Sequence, residues 1–254
     1  MTLSARKLIL KGCLLSNMNN SETLVIIPAR GGSKRLPRKN VKLLAGKPLI
    51  CWTIEAAIKA NLDAKIVVTS DDGEILELAD TYSGKGIYKR KRPDNLATDT
   101  ASTVDAIIDV IESEKLLGNN PQTVILLQPT SPLRNEEDIR NAFCLYNDTE
   151  KNSGRDTVVS VCEVDHPTAW VGYVREDMSF QGTKLLNKRS QDYENEYRLN
   201  GAVYIASVEF ILSDKSLFTS KLKASIMSSY NSIDIDRDID FKICEVLKSS
   251  TNGD

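Results

Sequence analysis

A single histidine, His166, occurs in the 254 residues of this chain. One imidazole cannot build a multi-histidine metal centre, and a Ser-His-Asp triad would have to use that residue. Any bound metal must therefore sit on oxygen donors, which favours magnesium or a similarly hard cation. The cysteines Cys13, Cys51, Cys144, Cys162 and Cys244 are odd in number, widely spaced and contain no C-x-x-C pair. That pattern lacks a disulfide frame and a zinc site, and reads as small buried thiols of a cytoplasmic protein. No stretch approaches the roughly 18 apolar residues of a transmembrane helix, so no membrane partner is expected. A formal net charge of −2 has no basic excess, which argues against nucleic acid.

Hydrophobic content of 41% and charged content of 27% are ordinary for a globular chain, long enough for one large α/β domain with a small excursion. Residues 1–22 carry Arg6, Lys7 and Leu8-Ile9-Leu10, which mimic a signal peptide. Lys11 interrupts the apolar run and no small-residue cleavage site follows, so this stretch is expected to be a loosely attached extension ahead of a second methionine, Met18.

What the chain does have is local positive charge. Leu24-Val25-Ile26-Ile27 reads as a buried strand, broken at Pro28 into a loop with Gly31 and Gly32. Arg30, Lys34, Arg35, Arg38, Lys39 and Lys42 follow with no acidic residue among them. A buried strand that delivers a Gly-rich basic loop to its carboxyl end is a way of holding polyphosphate. The run is not G-x-x-x-x-G-K-[ST] nor G-x-G-x-x-G, which disfavours a P-loop kinase and a dinucleotide dehydrogenase.

Further strands are predicted over 65–70, 123–127, 157–162, 201–206 and 232–236. Helices are predicted over 48–60, 72–82, 103–117, 135–145 and 237–247. The alternation predicts a mostly parallel, Rossmann-like sheet with helices on both faces. Asp71 and Asp72 stand where a helix starts and read as N-caps. The region 163–198 loses the βα rhythm and reads as a hairpin-like excursion serving as a lid, a subunit contact, or both. Asp234 and Asp236, two apart in an extended strand, would point the same way roughly 6–7 Å apart at about 3.3 Å per residue. Two carboxylates so placed could hold Mg²⁺ beside a triphosphate; the alternative is that Asp236 caps the helix that follows.

Ile26-Ile27-Pro28-Ala29-Arg30-Gly31-Gly32-Ser33-Lys34-Arg35-Leu36-Pro37-Arg38-Lys39-Asn40 resembles the signature of the acylneuraminate cytidylyltransferases, the CMP-sialic acid synthetases. The resemblance continues in order through Gly46-Lys47-Pro48-Leu49-Ile50, Arg92-Pro93, Asp99-Thr100-Ala101-Ser102 and Leu127-Gln128-Pro129-Thr130-Ser131-Pro132-Leu133-Arg134. It resumes at Asn200-Gly201-Ala202-Val203-Tyr204 and Ser232-Ile233-Asp234-Ile235-Asp236.

The resemblance implies that residues 23–162 and 199–254 form a nucleotidyltransferase domain and 163–198 a dimerisation excursion, giving a homodimer. It implies transfer of CMP from CTP to the anomeric hydroxyl of a nine-carbon keto sugar acid, with release of pyrophosphate. Arg30, Lys34 and Lys39 would hold the triphosphate; Ala29, Asn40, Arg92, Ser102 and Thr103 would contact the nucleoside. Gln128, Arg189 and Tyr204 would face the sugar. Asp234 and Asp236 would carry Mg²⁺, with Asp236 assisting deprotonation of the attacking hydroxyl. His166-Pro167-Thr168, Arg189-Ser190-Gln191-Asp192 and Leu199 depart from the common bacterial pattern, which brings legionaminic- and pseudaminic-type sugars in as substrates beside sialic acid.

Overall fold

The computed structural model describes residues 22–33, 35–98, 101–153, 157–182, 189 and 192–251, with the side chains of 149–153 and 251 left aside. The N-terminal extension up to residue 21, Lys34, Asp99 and Thr100 lie outside the described residues.

Seven strands form one sheet in the order β11-β7-β10-β6-β1-β4-β5. They are β1 (Thr23–Pro28), β4 (Lys65–Ser70), β5 (Ile87–Lys91), β6 (Thr123–Leu127), β7 (Thr157–Glu163), β10 (Tyr197–Ser207) and β11 (Leu222–Ile226). All run parallel except β10, which pairs antiparallel with both β6 and β7. Small hairpins are made by β2 (Leu43–Leu44) with β3 (Lys47–Pro48) and by β8 (Gly172–Val174) with β9 (Phe180–Gly182). The expected mostly parallel α/β sheet is therefore what forms.

Period-two alternation in β1 explains the layers, because successive side chains leave a strand on opposite faces. Val25 and Ile27 enter one core with α1 (Leu49–Ala60), α2 (Gly73–Asp80) and α4 (Glu136–Ser153). Leu24 and Ile26 enter the other core with α3 (Thr103–Leu116) and α5 (Val208–Asp214). With both faces covered, β1 reads as an unbroken apolar run. Truncating Ile26, which has no exposed surface, to Ala is on the scale of 2–5 kcal/mol.

A third cluster decides where the ligand loops go. Leu36 from the basic loop, Leu44, Leu49, Leu133 and Ile235 pack on Phe241 and Cys244 of α6 (Asp238–Thr251). The C-terminal helix thus clamps the loops after β1 and β6 from outside the sheet.

The structure departs from expectation at four places. Residues 232–236 form no strand: Tyr230–Ser232 is a 3-10 turn, and Ile235 donates its N–H to Thr130 O at 2.8 Å instead of to a ladder. The edge position beside β7 is filled by β11, a five-residue strand whose alternating Leu222, Ala224 and Ile226 are exposed while Ser225 is buried. The short helix α5 is also absent from the sequence reading, and α4 runs to Ser153 where an end near residue 145 was expected. The excursion is hairpin-like as expected, and it exposes a run of large apolar side chains from Trp170 (40% exposed) to Met178 (79%).

Candidate active site

The chain leaves β1 for β4 on one side and later places β6 on the other, so the sheet order reverses at β1. Open α/β sheets bind ligands outside the carboxyl ends of the strands at such a point. A cleft of about 500 Å³ lies there, walled by the loops after β1, β5 and β6 and closed by Asp236.

The β1 loop is braced from behind. Ala29 N bonds Thr69 O at 3.0 Å, and Gly31 N donates to Asp71 Oδ1 at 3.1 Å. A Cβ on Gly31 would lie 2.5 Å from Asp72 Oδ2, so only glycine lets the loop pass this close to the start of α2. Asp72 caps α2 by accepting from Ile75 N at 3.2 Å, as expected, and its other oxygen pairs with Arg38. Arg38 sits in the left-handed region (φ 57°), held there by Asp72 and Glu74. Asn40 Nδ2 donates to Arg30 O at 3.0 Å, while Asn40 Oδ1 is buried with no partner among the described residues.

The opposite wall starts at Arg92, which is buried and donates through Nη2 to Thr69 O at 3.0 Å; its Nε has no partner among the described residues. Ser102 and Asp105 form a capping box at the start of α3, which fixes Ser102 and Thr103 at the cleft. Below Gln128 lies Arg134, fully buried, whose Nη1 donates to Gln128 O and Ala202 O, both at 3.0 Å. Burial pushes its pKa down to about 10, so it remains a cation at neutral pH. Arg134 thereby ties the β6 loop to β10, where Gly201 adopts φ +76° at a break in register between Leu199 and Tyr204.

The acidic side of the cleft is held by side chains from three elements. Asn231 Nδ2 donates to Asp138 at 2.9 Å, and Asn200 Nδ2 donates to Ser232 Oγ at 2.8 Å. Asp240, not Asp236, accepts from the backbone at the start of α6, from Arg237 N at 2.7 Å and Asp236 N at 3.1 Å. The capping alternative for Asp236 therefore gives way. Its carboxylate instead meets Arg35 Nη1 at 2.8 Å and Lys39 Nζ at 3.6 Å. Lys39 also donates to Ile235 O and is nearly buried. Burial pulls the Lys39 pKa down, opposed by the charges of Asp234 and Asp236.

Asp234 is the less exposed carboxylate of the pair. Burial pushes its carboxyl up, with Thr130 acting the other way and Asp236 adding repulsion. Asp234 Oδ1 is buried with no partner in hydrogen-bond geometry among the described residues. Among the described residues no group of three or more His, Cys, Asp or Glu side chains gathers to hold a metal. Two carboxylates, one with an orphaned oxygen, fit a hard cation whose remaining ligands come from phosphate and water.

Of the residues singled out in the sequence, Arg30, Lys39, Asn40, Arg92, Ser102, Thr103, Gln128 and Asp236 line this cleft. Ala29 is buried behind it. Tyr204 is partly buried on the α3 face, edge-on to Phe218 and within the field of Asp234, and Arg189 pairs with Asp192 in the exposed excursion; neither of them lines the cleft, nor does Asp234. Sequence reasoning missed Ser33 and Arg35 as lining residues, although both stand in the loop it singled out.

The fold and cleft define a class: a Rossmann-like α/β domain with a polyanion-binding loop at its switch point. Within that class, the profile of the cytidylyltransferase family matches residues 24–244, and the chain belongs to that family. It is 38% identical over 231 residues to a CMP-N,N'-diacetyllegionaminic acid synthase of Legionella pneumophila, covering 88% of this chain and 95% of that protein. It is 31% identical to a pseudaminic acid cytidylyltransferase of Campylobacter jejuni, covering 89% and 96% of the two chains. An N-acylneuraminate cytidylyltransferase of Escherichia coli is 33% identical, with 91% of this chain covering 53% of that longer protein. In fold, the chain matches a CTP-complexed CMP:2-keto-3-deoxy-manno-octonic acid synthetase with a TM-score of 0.67 at 16% identity, over 91% of this chain and 99% of that one.

Proposed function

We propose that this protein transfers CMP from CTP to the anomeric hydroxyl of a nonulosonic acid, sialic acid or a legionaminic- or pseudaminic-type relative. The observation that carries this reading is the cleft at the switch point, with the Arg30–Lys39 cations on one side and Asp236 opposite them. The names of the relatives supply the nucleotide and the sugar class.

Arg30, Lys34 and Lys39 would neutralise the triphosphate, which is what nucleotidyl transfer asks of a protein: positioning and charge neutralisation. Asn40 Oδ1 and Arg92 Nε are a buried acceptor and a buried donor without partners among the described residues, complementary to the N4 amino group and the O2 and N3 acceptors of cytosine. Ala29, Ser102 and Thr103 would complete the nucleoside site. Gln128, on the cleft wall, would face the sugar; Tyr204, within the field of Asp234, and Arg189, in the excursion, would join it on a rearrangement. The sugar hydroxyl oxygen forms the bond to the α-phosphorus, the bond to the β-phosphate oxygen breaks, and Asp236 assists removal of the hydroxyl proton. Asp234 and Asp236 would hold Mg²⁺, which supplies charge neutralisation at the reacting phosphate. The excursion over 163–198, which exposes apolar side chains between Trp170 and Phe180, would join two copies into a homodimer.

The test is pyrophosphate release from CTP and Mg²⁺ with a panel of nine-carbon keto sugar acids beside an eight-carbon one. Turnover with a nine-carbon acid is expected. Binding of CTP without release of pyrophosphate from any sugar acid would sink the enzyme reading.

A further inference from the structure

Lys39 stands in an unusual place for a residue assigned to phosphate. Its side chain, only 10% exposed, reaches across the cleft to the acidic loop, donates to Ile235 O and ends 3.6 Å from Asp236 Oδ1, whose other oxygen meets the more exposed Arg35 at 2.8 Å. The field of Asp234 also acts on it. The perch is rigid, because the N–H of the same residue, Ile235, is tied to Thr130 O at 2.8 Å. The lysine backbone is fixed as well, in the short 3-10 turn Lys39–Val41. What can move is the four-carbon stem, which lets an ammonium swing between anions as a point charge.

We propose that in the nucleotide-free enzyme the Lys39 ammonium is a placeholder cation at the Asp234–Asp236 pair, and that the triphosphate admits the metal by drawing Lys39 away. This rests on the reading of Asp234 and Asp236 as the metal pair. An ammonium within a few ångströms of a carboxylate offsets much of the field that would attract a divalent ion. The orphaned Asp234 Oδ1 is left as a donor without a cation of its own. Incoming phosphates compete for Lys39 and also bring the oxygen ligands that two carboxylates lack. Metal and nucleotide then favour each other's binding, and by linkage each raises the other's affinity by the same factor. The free site is guarded against stray cations, and metal is taken up where there is a triphosphate for it to act on.

The experiment measures Mn²⁺ binding to nucleotide-free protein, reading free Mn²⁺ by electron paramagnetic resonance. Lys39→Met is expected to bind Mn²⁺ about tenfold or more tightly than the wild type. Lys42→Met removes the same charge from an ammonium that pairs with Asp238 at 3.6 Å, and is expected to stay within about threefold. In Lys39→Met combined with Asp236→Asn, the gain should vanish. Lys39→Gln repeats the test if the methionine variant does not keep the wild-type Tm. Equal or weaker Mn²⁺ binding in a folded Lys39 variant overturns the placeholder. So does an equal gain in Lys42→Met, which would reduce the effect to net charge. The underlying metal assignment fails separately: Asp236→Asn by itself would leave the metal concentration needed for turnover unchanged. If that requirement rises while the Lys39 variants gain nothing, the placeholder alone is lost.

Discussion

Asn200 Nδ2 donates to Ser232 Oγ at 2.8 Å, and this buried bond ties the irregular stretch of β10 to the loop bearing Asp234 and Asp236. The Asn200 amide oxygen accepts from Ser160 Oγ at 2.5 Å and Ala202 N at 3.2 Å, while Ser160 Oγ in turn accepts from Val203 N at 2.8 Å. One amide therefore replaces the ladder bonds lost where β10 breaks register, and carries that order to the acidic loop. Asn200→Ala leaves several buried partners unsatisfied, and is expected to cost about 2–4 kcal/mol in urea unfolding. A loss below about 0.5 kcal/mol would contradict the network.

Gly31 is expected to be intolerant of any side chain. A Cβ there meets Asp72, which caps α2 and holds Arg38, so the loop or the cap must shift. Gly31→Ala should raise the KM for CTP by about tenfold and lower stability by about 1–3 kcal/mol, the scale of overpacking. Steady-state kinetics with CTP varied, beside a denaturation curve, check both. Wild-type KM would show that the loop gives way without cost.

Asp236→Asn is expected to lower turnover by roughly two to three orders of magnitude, the scale of losing one electrostatic element at a reacting centre. Its side chain is half exposed and capping is done by Asp240, so the Tm should hardly change. A fully active variant would remove Asp236 from the chemistry.

The buried cysteines supply a test that is independent of activity. Burial, with the Asp240 charge behind it, pushes the Cys244 thiol up to about 12, and Cys51 is raised by burial as well. Since the thiolate is the reactive form, Cys244 should resist iodoacetamide at pH 8 in the folded protein and react once it is denatured. Peptide mass spectrometry reads the difference. Rapid native alkylation of Cys244 would contradict the packing of α6 on the basic loop.

The excursion is expected to carry the subunit contact. Tyr173 and Phe180 are exposed on its facing strands, so Tyr173→Glu with Phe180→Glu should convert a dimer into monomers in sedimentation velocity. An unchanged dimer places the contact elsewhere, on another apolar face such as Ile239, Ile243 and Val246 of α6.

By itself the sequence determined the βα alternation, the buried strand running into a basic Gly-rich loop, the N-cap at Asp72 and the family. Each is local or contiguous: periodicity, capping and motif order need no knowledge of distant partners. Tertiary structure decided the rest. Ser232–Asp236 looks like a strand because its apolar residues alternate, yet its backbone bonds go to Thr130 and its apolar members fill the cluster under α6. The strand β11 escaped notice because its alternation lasts only five residues, and the structure exposes its apolar members and buries Ser225. That Asp236 meets Arg35 and Lys39, about 200 residues earlier in the chain, follows from the order of the strands and the packing of α6. A sequence lists charges, but which of them share one cleft is set by the hydrophobic faces that must be buried first.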